Sequence, residues 1–126
     1  MPQLSHLNVV LHVEDAPLVS IGTDEVLQKA GVGKVIHAAT VHGALAVLGS
    51  EKIDAAIVDI QLRDGESHDV LAKLARNGIP FVIASGAPPS EAHRQYSAYR
   101  LNKPVGEEQL VAALERLTAL DNAPMA

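Results

Sequence analysis

Asp54-Ala55-Ala56-Ile57-Val58-Asp59-Ile60-Gln61-Leu62-Arg63-Asp64-Gly65 is the stretch whose reading decides the fold. It begins as a short apolar run, Ala55 to Val58, whose length and β-branched content suit a strand buried on both faces. The run ends on a carboxylate, Asp59, and Asp64-Gly65 then marks a turn. In an open parallel sheet, the groups at the carboxyl ends of the strands line the ligand crevice. Asp59 is therefore expected at the mouth of a sheet rather than inside one. A solvated strand-end aspartate would explain this stretch taken alone, so the decision rests on what the other strands carry at the same level.

Upstream, Leu7 to Val13 reads as a first buried strand, closed by Glu14-Asp15. Ala16-Pro17 opens a helix, with Asp15 as candidate N-cap and Pro17 in the first turn, where its missing N–H costs nothing. That helix runs to Ala30 and is ended by Gly31 and Gly33. Lys34 to Ala39 is a second strand. Thr40 caps a helix carrying Val41, Ala44, Leu45 and Leu48, which stops at Gly49.

Downstream, Val70, Leu71 and Leu74 form a helical stripe that ends at Asn77-Gly78, and Pro80 to Ala84 is a fourth strand leading into Ser85-Gly86. The segment from Ala87 to Ala98 holds two prolines and few large apolar residues, so only a short, weakly packed helix is expected, from Ser90 to Ser97. Tyr99 to Asn102 is a fifth strand before Lys103-Pro104. Leu110, Leu114 and Leu117 recur at i, i+4 and i+7, which predicts an amphipathic helix from Glu107 to Leu120. Glu107 and Glu108 in its first turn suit the helix dipole.

The 126 residues fit one domain, expected over 7–120, with an N-terminal extension at 1–6 and a frayed tail at 121–126. Hydrophobic residues make up 48% and are nearly all aliphatic, which suits helices packed on a parallel sheet. There is no cysteine, hence no disulfide framework and no thiolate metal site. A net charge of −5 argues against nonspecific nucleic-acid binding, which needs a basic stripe. No apolar run approaches the ~20 residues of a membrane span, and no signal peptide is visible, so the expected location is the cytoplasm. Five strands alternating with five helices imply an α/β domain with right-handed crossovers. Among doubly wound sheets of this size, the flavodoxin-like order 2-1-3-4-5 is expected.

In that order the strand ends bring together Glu14-Asp15, Asp59, Ser85 and Lys103. The first and third strands are neighbours, so three carboxylates fall within a few ångströms of one another. Like charges at that range raise at least one pKa unless cations compensate. A divalent ion and Lys103 together balance the three acids. The donors are hard oxygens, so Mg²⁺ is the natural ion, held by carboxylates, a carbonyl and water.

These residues, in this order and at these strand ends, resemble the response-regulator receiver domain (CheY-like) over about residues 7–118. The segment VDIQLRDGES, then FVIASG and a shortened stretch before LNKPV, further resembles receivers with an abbreviated fourth helix. Those carry a Phe-Ala-Thr-Gly-type motif, for which Ile83-Ala84-Ser85-Gly86 stands here. The resemblance implies phosphoryl transfer from a phosphohistidine, on a histidine kinase or a histidine phosphotransfer protein, to the Asp59 carboxylate. It implies that Asp15, Glu14 partly through water, Asp59 and the Gln61 backbone carbonyl hold Mg²⁺. It further implies that Lys103 pairs with a phosphoryl oxygen, that Ser85 donates a hydrogen bond to another, and that a cis peptide precedes Pro104.

The chain departs from the family at two places. Arg100 occupies the usual position of an aromatic, with Tyr99 one residue earlier and hence on the opposite face. The usual hydroxyl–aromatic coupling is replaced, in this reading, by a signal through the loop after Ser85 and the weak fourth-helix segment. Arg63 also replaces a proline before the Asp-Gly turn. The six histidines show no ligand spacing; His12 alternates with the strand core and reads as structural, and His68 and His93 as surface residues.

The leading expectation is a stand-alone phosphoacceptor acting through protein–protein contacts, as a monomer or weak dimer. The alternative is a pseudo-receiver, an interaction module independent of phosphorylation. An aspartate-nucleophile phosphatase would want a second acid two residues after Asp59, where Gln61 stands. A flavin-binding domain would want a hydroxyl- or Gly-rich phosphate loop where Glu14-Asp15 stands.

Overall fold

The apolar runs become strands and the 3.6-residue stripes become helices, in alternation. The computed structural model describes residues 3–85, 99–102 and 105–121, without the side chains of 17–20, 85, 99, 102 and 119–121. In chain order the elements are β1 (Val9–Val13), α1 (Pro17–Lys29), β2 (Lys34–Ala38), α2 (Val41–Ser50) and β3 (Ala55–Asp59). There follow β4 (Gln61–Leu62), β5 (Gly65–Glu66), α3 (His68–Arg76), β6 (Phe81–Ser85), β7 (Tyr99–Asn102) and α4 (Glu107–Asp121). The main sheet is parallel with order β2-β1-β3-β6-β7. Counting only its five strands, this is the expected 2-1-3-4-5. Strands β4 and β5 form a separate antiparallel hairpin, which the sequence reading reduced to a turn. The expected helix at Ser90–Ser97 lies outside the described residues, as do Lys103-Pro104 and the tail from 122.

Period-two alternation divides the core into two layers. Leu11, Val13, Ala56, Val58 and Ile83 face α2 and α3, where they pack with Ala44, Leu48, Val70, Leu71 and Leu74. Val10, Ala55, Ile57 and Val82 face α1 and α4, where they pack with Leu27, Leu110, Ala113 and Leu114. Because β3 is covered on both faces, every residue from Ala55 to Val58 is buried, as its unbroken apolar run requires. By the same parity, His12 on β1 shares the α1/α4 side with Asp59 on β3, and Glu14 follows directly on the end of β1.

Helix ends explain where the chain turns. The N-cap of α1 is Ala16, not Asp15, and it makes no side-chain capping bond. Pro17 occupies the first helical turn, and a residue before proline is pushed to extended backbone, here φ −92° and ψ 112°. The cap therefore falls one residue later than expected, which leaves the Asp15 carboxylate for another role. At the far end of α1, Gly31 (φ 104°) donates to the Gln28 carbonyl and Val32 to the Leu27 carbonyl. This is a Schellman closure, repeated on α3 by Gly78 (φ 70°) and Ile79. Thr40 caps α2 as expected, accepting the Gly43 N–H at 2.9 Å.

The segment before β1 packs onto the α1/α4 layer. Leu4 is fully buried and its N–H donates to the Ala30 carbonyl at 2.8 Å. His6 Nε2 meets the Thr118 hydroxyl on α4 at 2.7 Å, and that hydroxyl donates to the Leu114 carbonyl at 2.7 Å.

Candidate functional site

Sheet register brings the strand ends to one level. Val13 pairs with Val58, Asp59 with Ala84, and Ser85 with Asn102. Glu14 thus follows directly on the residue opposite Val58, and Asp59 ends the adjacent strand. One carboxylate oxygen from each of Glu14, Asp15 and Asp59 lies within 4.8 Å of the other two. This is the only such group of potential metal ligands among the described residues.

The three acids are held differently. Glu14 is 2% exposed, and its Oε2 accepts the Ala16 N–H at 3.2 Å. Its backbone is fixed as well: the N–H donates to the Ala38 carbonyl at 2.9 Å, and its own carbonyl meets His37 Nε2 at 2.6 Å. Asp15 and Asp59 are half-buried. A buried carboxylate beside two others is unfavourable unless positive charge balances it. The oxygen-only donor set suits a hard divalent cation.

Gln61, singled out for its carbonyl, lies in the hairpin opposite Glu66 with its side chain exposed. The Ser67 N–H donates to the Ile60 carbonyl at 2.8 Å, so Ile60 and Ser67 occupy a hydrogen-bonded step of the ladder. Gln61 and Glu66 then form the step without ladder bonds, and the Gln61 carbonyl turns out of the hairpin. The backbone of Ser85 ends β6, one residue beyond the partner of Asp59. The Ser85 and Tyr99 side chains and all of Lys103 lie outside the described residues. Arg100 is half-buried on β7 opposite Ile83.

His12, on the α1/α4 side of β1, is 3% exposed. Its ring packs at 5.9 Å from that of His37, the residue it faces across β1 and β2. Burial holds its pKa below the ordinary histidine value, against the opposing pull of Asp24 and Glu14. It is a core histidine, in line with its place in the strand alternation.

One residue near the site escaped the sequence reading. Asp64, taken as part of a turn, accepts the N–H of Val41 at 2.8 Å (Oδ1) and that of His42 at 3.2 Å (Oδ2). An Asp before Gly signals a local turn, and nothing in the sequence points to partners 22 and 23 residues away.

The comparisons with known proteins agree with this geometry. The family model described as the response regulator receiver domain matches residues 10–115. No curated protein matches the chain. Among solved structures, SdrG from Sphingomonas melonis Fr1 is 36% identical; the match covers 88% of this chain and 96% of that one, with a TM-score of 0.76. A response regulator receiver domain protein (CheY-like) from Methanospirillum hungatei JF-1 is 25% identical, covering 94% and 99% with a TM-score of 0.82. The response regulator PhyR from Brucella abortus is 23% identical, covering 96% of this chain and 52% of that one with a TM-score of 0.80, a likeness of fold alone.

Proposed function

The chain belongs to the response regulator receiver domain family, and from that premise we propose that it is a phosphoacceptor switch with Asp59 as the accepting residue. One observation carries the reading: the oxygens of Glu14, Asp15 and Asp59 converge within 4.8 Å at the ends of two neighbouring strands. The donor is a phosphohistidine on a histidine kinase or histidine phosphotransfer protein. The P–N bond to the donor imidazole breaks as an Asp59 carboxylate oxygen bonds to phosphorus, and the imidazole takes up a proton as it leaves. The product is an acyl phosphate, which water hydrolyses to inorganic phosphate and the free carboxylate.

Transfer of this kind is governed by positioning and charge rather than by covalent assistance. Glu14 and Asp15, with Asp59 and the Gln61 carbonyl, are the donors for Mg²⁺. Bound there, the ion supplies positive charge against the carboxylates and the phosphoryl oxygens. Glu14, fixed by Ala16 and by its backbone bonds to β2, presents its carboxylate in one orientation. Lys103 pairs with one phosphoryl oxygen as a point charge, and Ser85 donates a hydrogen bond to another. With Arg100 where an aromatic is usual, the signal leaves the site through the loop after Ser85.

The test is incubation with Mg²⁺ and acetyl phosphate, read by intact mass for wild type and for Asp59→Ala. Wild type gains one phosphoryl group, and chelation of Mg²⁺ before the reaction prevents that gain; the variant gains none. No adduct on wild type would instead support an interaction module independent of phosphorylation. An adduct retained on Asp59→Ala would move the acceptor elsewhere.

A further inference from the structure

At the N-terminus of α2 the first three helical N–H groups all have acceptors, two of them from outside the helix and its cap. The Val41 and His42 N–H groups go to Asp64, that of Gly43 goes to Thr40, and Ala44 N–H makes the first intrahelical bond, to the Thr40 carbonyl. Thr40 alone would be an ordinary cap. Asp64 adds a connection between α2 and the hairpin that follows Asp59.

That hairpin is short and lies largely at the surface. Its strands are two residues each, and a two-stranded ribbon is marginal in water. Gln61, Arg63, Asp64, Gly65 and Glu66 are all exposed. Besides Asp64, it is anchored by the buried Leu62 side chain, by the Ser67–Ile60 backbone bond and by Glu66, whose carboxylate lies 3.3 Å from His68 Nε2 at the start of α3. Yet it carries Gln61, whose carbonyl is the one metal donor in the proposed site that does not come from β1, its end or β3.

We propose that Asp64 is a positioning residue for the metal site: by latching the β4–β5 hairpin onto the N-terminus of α2, it holds the Gln61 carbonyl where Mg²⁺ requires it. The inference rests on the Mg²⁺ reading given above. Asp64 itself is three residues from Gln61 and bonds to α2, so it is not a ligand. The carboxylate favours this arrangement electrostatically, because a negative charge at a helix N-terminus meets the positive end of the dipole. Since binding linkage is reciprocal, Mg²⁺ must also tighten the latch. The amides of Val41 and His42 therefore exchange more slowly when Mg²⁺ is bound.

The experiment measures Mg²⁺ affinity by calorimetry, and amide exchange at Val41 and His42 by NMR, in four proteins. These are wild type, Asp64→Ala, Asp64→Asn and Thr40→Ala, each checked for a cooperative melt. Asp64→Ala weakens Mg²⁺ binding by about tenfold, the low end of what outer hydrogen-bond partners of metal ligands contribute. It also loses the Mg²⁺-dependent protection of the two amides. Asp64→Asn, which keeps one acceptor oxygen, loses less, and it carries the test if Asp64→Ala does not fold. Thr40→Ala weakens α2 through its other cap and leaves Mg²⁺ affinity unchanged, which separates positioning from helix stability. The proposal is overturned if the Asp64 variants bind Mg²⁺ as wild type does, or if Thr40→Ala weakens binding as much as they do. If wild type itself binds no Mg²⁺, the site reading fails and the latch proposal with it.

Discussion

His12 Nδ1 and Asp24 Oδ1 face each other at 3.6 Å, too far for a hydrogen bond, and neither atom makes one among the described residues. The pair joins β1 to α1 by electrostatics, with the ring neutral.

Burial lowers the His12 pKa more than Asp24 and Glu14 raise it. In the unfolded chain the ring titrates near 6.5, so between that value and the lower folded one the unfolded state binds more protons. Stability is therefore full above pH ~6.5 and declines as pH falls toward the folded value. Urea midpoints measured between pH 7.5 and 5 should decrease, and less so in His12→Phe. An NMR titration of the His12 ring with a midpoint above 6.5 would refute this.

Asp64 has the same sign for a different reason. Hydrogen bonds from the backbone, that of Val41 first, hold its carboxyl below the ordinary carboxylate value. The latch is complete at neutral pH and fails only as pH drops below ~3.9 and through the folded value. The Val41 and His42 amide shifts should move together in that range. If they titrate above pH ~4, the carboxylate is not what holds them.

Leu4 lies in the segment that precedes the first strand, yet no part of its side chain is exposed. Leu4→Ala should cost about 2–5 kcal/mol by lost burial and the cavity left behind. Chemical denaturation gives the value directly, and a loss below 0.5 kcal/mol (roughly the scatter of neutral surface changes) would mean that the segment is not docked in solution.

Ser67 is fully buried at the start of α3, but its hydroxyl has no hydrogen-bond partner among the described residues and does not cap the helix. Removing a buried hydroxyl without a partner leaves no partner stranded, so Ser67→Ala should be neutral or stabilising by up to about 1 kcal/mol. A marked drop in the melting temperature would reveal a bond to the hydroxyl.

The parts of this molecule legible in the sequence are those written in contiguous residues. The buried strands appear as apolar runs, α2 and α4 as capped or periodic stretches, and the order of strands follows from their alternation with helices. The meeting of Glu14, Asp15 and Asp59 was legible too, because strand order alone fixes which strand ends are neighbours. What escaped depends on partners far apart in the chain. Asp64 bonds across 22 and 23 residues to α2, and a two-residue strand has no periodicity to betray β4 or β5. The misplaced cap at Asp15 has a local cause: Pro17 fixes the start of α1 so that Ala16, a residue with no capping group, takes that position.

The attachment of His6 to Thr118 works on a different rule from that of His12. The single proton of the Thr118 hydroxyl is already committed to the Leu114 carbonyl, so the imidazole can only be the donor. A neutral ring carrying its hydrogen on Nε2 meets that demand, and so does the imidazolium. The amino-terminal strap is therefore tied to α4 by a bond that runs one way: the ring gives a hydrogen to the hydroxyl, and the hydroxyl gives its own to the helix backbone.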